Sequence, residues 1–127
     1  MGHRSVDYFY IAATIVLTVY GQLILKWRME QLGPMPAGLG PALRQLLWWV
    51  FDPGIFSGFA AAFLASLAWM AAMTRFELSY AYPFTSLNFV VVLVLSALLL
   101  GEAITLRKTL GVAFIVLGTV IAGSQAR

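Results

Sequence analysis

The chain has 127 residues, of which 61% are hydrophobic and only 10% are charged, so it is far more apolar than a water-soluble domain. The absence of cysteine excludes disulfides and thiolate metal sites, and a single histidine, His3, cannot build a metal site or a Ser-His-Asp triad. The net charge of +3 comes from basic residues at the ends of apolar runs, which favours anchoring at lipid headgroups over nucleic-acid binding. We expect a membrane protein that is not an enzyme, uses no cofactor or metal and binds no nucleic acid.

Four uncharged stretches, within 8–25, 53–74, 78–101 and 109–126, predict four transmembrane helices. Each is long enough, or nearly so, to cross a hydrocarbon core of about 30 Å. The predicted fold class is therefore an all-α membrane protein with short connections. A single domain, 1–127, would contain spans at about 8–27, 53–74, 78–100 and 106–124 and a short interfacial helix at about 42–51.

The connection between the first two spans is expected to begin as an irregular segment. Proline and glycine are dense in 31–41, and both residue types interrupt helices. In the interfacial helix that follows, Arg44 is expected to point toward water, with Trp48 and Trp49 at headgroup depth. Asp52 precedes a proline and is expected to cap the second span.

The later connections are so short that neighbouring spans must be antiparallel, which places both chain termini on one side of the membrane. That side carries three basic residues, Arg4, Arg75 and Arg127, and the opposite side carries five, Lys26, Arg28, Arg44, Arg107 and Lys108. Because basic loops favour the cytoplasm, this difference favours termini on the outer side. Insertion in both orientations is the alternative.

The first span carries a polar stripe. Residues four apart share a helix face, so the stripe consists of Tyr10, Thr14, Thr18, Gln22 and Lys26. Polar groups in hydrocarbon must face protein or water, and we interpret the stripe as the lining of a cavity. The alternative is that the threonine hydroxyls bond to carbonyls one turn earlier and that the lysine extends to the interface.

A second polar set occurs in the third span. Thr85, Asn88 and Ser96 fall within a narrow arc, with the aromatic residues Tyr82 and Phe89 beside them. Pro83 frees a backbone carbonyl near position 79 and permits a kink. The alternative for Asn88 is a hydrogen bond that only joins two helices.

Small residues mark the other two spans as packing surfaces. They are Gly58, Ala61, Ala62 and Ala65 in the second span and Gly111, Gly118 and Ala122 in the fourth. No aspartate or glutamate lies inside any span. Because one chain offers the polar stripes few neighbours, we expect a dimer, of two copies or of two related chains, with the stripes facing a shared cavity.

Several segments resemble a known family. They are similar to the small four-helix members of the drug/metabolite transporter superfamily, which includes EamA-like and small multidrug resistance proteins. The segments are 82–90 (YPFTSLNFV), Gly101-Glu102, 111–115 (GVAFI), and Gly21-Gln22 with Lys26. The similarity is greatest to the subunits of the aminoarabinose-phosphoundecaprenol flippase. It covers nearly the whole chain outside 31–51.

The resemblance implies a multi-pass protein of the bacterial inner membrane. Its partners would be a polyprenyl-phosphate-linked sugar, membrane lipid, and a second copy or a related four-helix subunit. Small multidrug resistance proteins carry a glutamate in the first helix, and the resemblance places that position at Thr18 here. The missing glutamate disfavours the alternative of a proton-driven exporter of small cations, drugs or metabolites. The other alternative is a partner subunit that does not itself transport.

Three groups of side chains are expected to bind the substrate in the flippase interpretation. Cations at the ends of the spans would attract the phosphate. These are Lys26 together with either Arg75 or the pair Arg107 and Lys108. Polar groups would hydrogen-bond the sugar: Thr18, Gln22, Thr85 and Asn88. Aromatic rings would stack against it: Tyr82 and Phe89. The alternative role for the basic residues Arg75, Arg107 and Lys108 is topological anchoring.

Overall fold

The computed structural model describes residues 5–124, so His3, Arg4 and Arg127 lie outside the described part. Every regular element in this part is helical, which confirms the predicted all-α class. The elements are α1 (Ser5–Leu32), α2 (Leu39–Trp49), α3 (Pro53–Met73), α4 (Leu78–Ala81), a 3₁₀ turn (Tyr82–Ser86), α5 (Leu87–Leu100) and α6 (Leu106–Gly123). Four segments are long and apolar enough to span a membrane: α1, α3, α4 to α5, and α6.

The connecting helix α2 begins earlier than the sequence predicts. It starts at Leu39 and includes Pro41, because the first backbone N–H groups of a helix have no intrahelical partner and a proline there removes nothing. Trp48 is 70% exposed, whereas Trp49 is buried. Trp49 is therefore covered by other parts of the chain, whereas Trp48 is not, and the headgroup depth of the two rings stays a prediction.

The helices α1 and α3 approach each other closely at two glycines. A methyl group added at Gly21 would lie 3.1 Å from the carbonyl oxygen of Gly58, and one added at Gly58 would lie 2.9 Å from Cγ2 of Ile24. Both glycines are buried. Lipid provides no hydrophobic force between helices, so this close backbone contact is what their association requires.

An ion pair joins the end of α1 to the beginning of α3. Nε and Nη2 of Arg28 donate to the two carboxylate oxygens of Asp52 at 2.9 and 2.6 Å. The same carboxylate accepts from the backbone N–H groups of Gly54 and Ile55 at 3.1 and 3.2 Å and so caps α3 as predicted. A side chain at Gly54 would collide with the stem of Arg28, so the glycine leaves room for the pair.

The opposite ends of α1 and α3 are joined in the same way. Nε of Arg75 lies 3.5 Å from a carboxylate oxygen of the buried Asp7. Beside this pair, the Tyr8 and Tyr80 hydroxyls are 2.8 Å apart, and the Tyr8 and Phe76 rings pack with centroids 5.0 Å apart. The antiparallel pair α1 and α3 is therefore held in its middle and at both ends.

The third span is broken at Pro83, as the sequence predicts, although the change occurs one turn later than expected. The 3₁₀ turn separates α4 from α5, and the hydroxyl of Thr119 on α6 lies 2.9 Å from the carbonyl oxygen of Pro83. Thr119 also hydrogen-bonds the Ser86 hydroxyl. Because backbone acceptors inside a membrane need protein donors, Thr119 attaches α6 to the break.

The rest of α6 has few neighbours within the described chain. A methyl group added at Gly111 or at Gly118 would meet no other atom within 4 Å, and Leu106, Phe114 and Val120 are more than 60% exposed. The expectation that these glycines pack against another helix is therefore not met inside one chain. This face meets lipid or another protein.

The first prediction concerns the glycine contact. Gly58→Val should lower the midpoint of thermal unfolding in detergent, because extra methyl groups in a filled interface cost about 1 to 3 kcal/mol. Gly40→Val is the control, since Gly40 has no neighbour within 4 Å of an added methyl group and should change the midpoint little. Equal midpoints for the two variants would contradict the close contact.

The second prediction concerns pH. Hydrogen bonds from Arg28, supported by those from the Ile55 and Gly54 backbones, hold the pKa of the Asp52 carboxyl below its ordinary value. A lowered pKa in the folded state means that the pair stabilises the fold above about pH 4 and that this contribution is lost as the pH falls further.

Asp52→Asn should therefore lower the unfolding midpoint at pH 7, and its difference from wild type should shrink below about pH 4. Glu77→Gln serves as the control, because the Glu77 side chain makes no capping hydrogen bond in the structure. A difference that stays constant down to pH 3 would count against the ion pair.

Candidate functional site

A groove with apolar walls and a few polar side chains lies between α1 and α3, beside the glycine contact. Its volume is about 320 Å³. Its lining consists of Thr14, Thr18, Gly21, Gln22 and Leu25 from α1, and of Gly58, Phe59, Ala62, Ala65 and Ser66 from α3. The groove follows the stripe that the sequence predicts on the first span, and none of these lining residues is charged.

The stripe residues differ in how they meet this groove. Thr14 is buried and its hydroxyl donates to the Tyr10 carbonyl oxygen at 2.8 Å, which is the alternative considered for each threonine. Thr18 is half-buried and Gln22 is exposed, and neither side chain has a hydrogen-bond partner within residues 5–124. These two residues therefore offer a hydroxyl and an amide to a groove occupant.

Lys26 lies one helical turn beyond Gln22, outside the groove lining. Its ammonium is 4.0 Å from a carboxylate oxygen of Glu30, and both side chains are about half exposed. Exposed pairs at this spacing contribute only about 0.3 to 0.5 kcal/mol, so a phosphate could displace the carboxylate. Leu25, the neighbour of Lys26, is the last residue of α1 in the groove lining, so the lysine follows the groove directly in sequence.

The third-span residues take no part in this groove. Thr85 donates to the Tyr82 carbonyl oxygen at 2.6 Å, while Tyr82 and Phe89 are 62% and 56% exposed. The side-chain oxygen of Asn88 is buried and has no hydrogen-bond partner in the described chain. One chain thus separates the polar set of the third span from the groove that the first span lines.

The remaining predicted cations lie at the two ends of the bundle. Arg75 follows α3 and pairs with Asp7, so it closes the end where α1 begins. Arg107 and Lys108 are exposed in the first turn of α6, and the Lys108 ammonium donates to the Ala103 carbonyl oxygen at 2.9 Å. The structure does not bring these residues together with Thr18 and Gln22.

Sequence reasoning missed the second wall of the groove. Phe59 and Ser66 were not singled out, and Gly58, Ala62 and Ala65 were interpreted only as a packing surface. Small residues let two helices approach, and where one helix carries polar side chains they also leave space beside the contact. The signal was the run of glycine and alanine in the second span, which fits both roles.

The sequence is similar to known transporters and flippase subunits. Residues 8–124 match the EamA-like transporter family. The chain is 34% identical over 127 residues to a Serratia proteamaculans protein named probable 4-amino-4-deoxy-L-arabinose-phosphoundecaprenol flippase subunit ArnF, with 94% of each chain covered. A Photorhabdus laumondii protein of the same name is 34% identical over 115 residues, which cover 87% of this chain and 91% of the relative.

A relative with the other subunit name is also similar. A Pseudomonas savastanoi protein named as the probable flippase subunit ArnE is 28% identical over 116 residues, which cover 91% of this chain and 96% of the relative. No solved structure matches the chain significantly.

The third prediction tests whether the groove holds water. The chain has no cysteine, so Gln22→Cys would carry a single thiol, and thiols react as thiolates, which form in water. A membrane-impermeant maleimide should label it about tenfold faster than Val16→Cys. Val16 is 66% exposed but lies about 120° away around α1, outside the groove lining. Equal labelling rates for the two variants would show that the groove is dry.

Proposed function

Because the chain belongs to the EamA-like transporter family, as its match over 8–124 shows, we propose that it is a flippase subunit for a lipid-linked sugar. The substrate would be an aminoarabinose-like sugar on undecaprenyl phosphate, moved across the bacterial inner membrane. Support comes from relatives with flippase names that match almost the whole chain at 34% identity. Family membership also agrees with the resemblance of 82–90 to small four-helix transporters. It makes the chain a transporter component rather than an enzyme.

The groove between α1 and α3 is the observation that carries this proposal. Its volume of about 320 Å³ lies at the lower end of the range for small-ligand sites, about 300 to 1,000 Å³. Hydroxyl and amide groups of Thr18, Gln22 and Ser66 line it without a charge. Such groups suit the hydroxyls of a sugar.

A lipid-linked sugar needs only a path for its polar head. The polyprenyl chain can remain in lipid, whereas an unshielded phosphate in hydrocarbon would cost tens of kcal/mol in the Born limit. Thr18 and Gln22 would bind the sugar in the groove, and Lys26 at its end would attract the phosphate. An open groove on the side of two helices is sufficient for this arrangement.

The proposed working unit is a dimer with a related four-helix subunit. Two subunit names occur among the relatives, and in this chain α6 leaves Phe114 and Val120 exposed while the third-span set lies outside the groove. A partner would cover α6, and its own third span would bring the counterparts of Thr85 and Asn88 to the groove. A second copy of this chain is the alternative partner.

Export of small cations by proton exchange is less compatible with the site. Exchange of a proton for a cation usually requires a carboxylate within the membrane, since both must compete for one charge. The groove lining contains no acidic residue, and the resemblance to small multidrug resistance proteins implies that Thr18 stands where they carry glutamate. The groove can form hydrogen bonds but cannot exchange a proton for a cation.

The fourth prediction measures transport in proteoliposomes that contain the chain and its partner. Lys26→Ala should reduce the rate of flipping a short-chain lipid-linked aminosugar about tenfold, because hydrogen bonds to charged groups contribute about 1.5 to 3 kcal/mol. Gln22→Ala should reduce the rate about three- to tenfold. Asn88→Ala should have a similar effect, because in a paired arrangement the third span of this chain would face the groove of its partner.

Val16→Ala, on α1 but outside the groove lining, is the matched control and should flip at the wild-type rate. Normal rates for Lys26→Ala, Gln22→Ala and Asn88→Ala together would refute the site. A wild-type pair that inserts and assembles but moves no lipid-linked sugar would refute the function and favour a subunit that does not transport.

A further inference from the structure

The interfacial helix α2 carries an arginine on its apolar face. Arg44 lies three residues before Leu47 and four before Trp48, so the three share one side of α2, and with Phe51, which follows the helix in the turn before α3, they line a hollow of about 410 Å³. Leu47, Trp48 and Phe51 are 67%, 70% and 77% exposed. Arg44 is itself exposed and lies beside these apolar side chains.

Arg44 is also available for an anion. Ion pairs within residues 5–124 engage Lys26, Arg28 and Arg75, whereas Arg44 has no acidic partner in that range. When the apolar face of an amphipathic helix enters lipid, an arginine on that face lies at the depth of the phosphates. Its planar guanidinium can donate two parallel hydrogen bonds to one phosphate.

We propose that this face of α2 is a capture site for the lipid-linked substrate and binds the phosphate of a prenyl phosphate ester. Arg44 would bind the phosphate oxygens, and Leu47, Trp48 and Phe51 would bind the adjoining part of the prenyl chain. The inference rests on the proposed flippase function. It assigns the first binding step to α2 rather than to the groove.

The position of α2 suits such a step. Its last turn leads through Asp52 directly into α3. Phe59, a lining residue of the groove, lies about 10 Å from Asp52 along the axis of α3. Asp52 is fixed to Arg28, so the end of α2 is held beside the end of the groove. A lipid captured at Arg44 would therefore have its head near the groove entrance.

The fifth prediction compares two variants by native mass spectrometry, with undecaprenyl phosphate as the titrated probe. Arg44→Gln should bind it about tenfold more weakly than wild type, because one charge-assisted contact is lost. The matched control is the double variant Arg44→Gln/Gln45→Arg, which keeps composition and net charge but turns the guanidinium about 100° away from the hollow. This control should remain as weak as Arg44→Gln.

Two further probes separate the source of the phosphate. Phosphatidylglycerol and inorganic phosphate should bind wild type more weakly than undecaprenyl phosphate does, and Arg44→Gln should not change their binding. Wild-type affinity in Arg44→Gln, recovery in the double variant, or equal affinity for phosphatidylglycerol would each overturn the capture site.

The binding and transport experiments fail independently. Transport by the wild-type pair, with unchanged undecaprenyl phosphate affinity in Arg44→Gln, would overturn the capture site alone. Absence of transport by the assembled wild-type pair would overturn the proposed function and, with it, the assignment of the bound lipid as a substrate.

Discussion

The backbone contact between Gly21 and Gly58 is the constraint on which the remaining structure depends. In lipid, helices associate through close packing and polar contacts, since apolar surface gains nothing by leaving apolar solvent. With α1 and α3 this close, Arg28 reaches Asp52 at one end and Arg75 reaches Asp7 at the other. The groove beside the glycines is consequently bounded by two helices that are joined near their middle and at both ends.

The second half of the molecule is organised differently. Apart from its hydrogen bonds at the break near Pro83, α6 presents most of its surface outward, and α5 exposes Leu98 and Leu99. Segments with few buried contacts open at low free energy, so α6 can adapt to a neighbour while α1 and α3 stay fixed. This asymmetry fits a subunit in which one helix pair forms the site and the other spans meet a partner.

The sequence predicts the spans well because length and hydropathy alone determine them, and it predicts the Asp52 cap because aspartate before proline is a local signal. It cannot predict that Arg28 binds Asp52, since 24 residues separate them and several carboxylates are available. The helical period places Thr18 and Gln22 on one face but does not say which helix they meet. For that reason the wall formed by Phe59 and Ser66 became visible only in three dimensions.

The distribution of charge around the groove follows from what a path between leaflets requires. A cation fixed halfway along it would hold a phosphate in a medium of low dielectric constant, where the attraction is strong and release is slow. Binding along a pathway must be strong enough for entry and weak enough for exit. In the proposed function, neutral groups such as Thr18 and Gln22 would satisfy this condition in the middle, and Lys26 and Arg44, which are exposed, would bind phosphate near one end, where water can compete for it. With hydrogen-bonding groups within the groove and cations beyond its end, the sugar phosphate head would bind at each stage of its path and would not be held tightly at any of them.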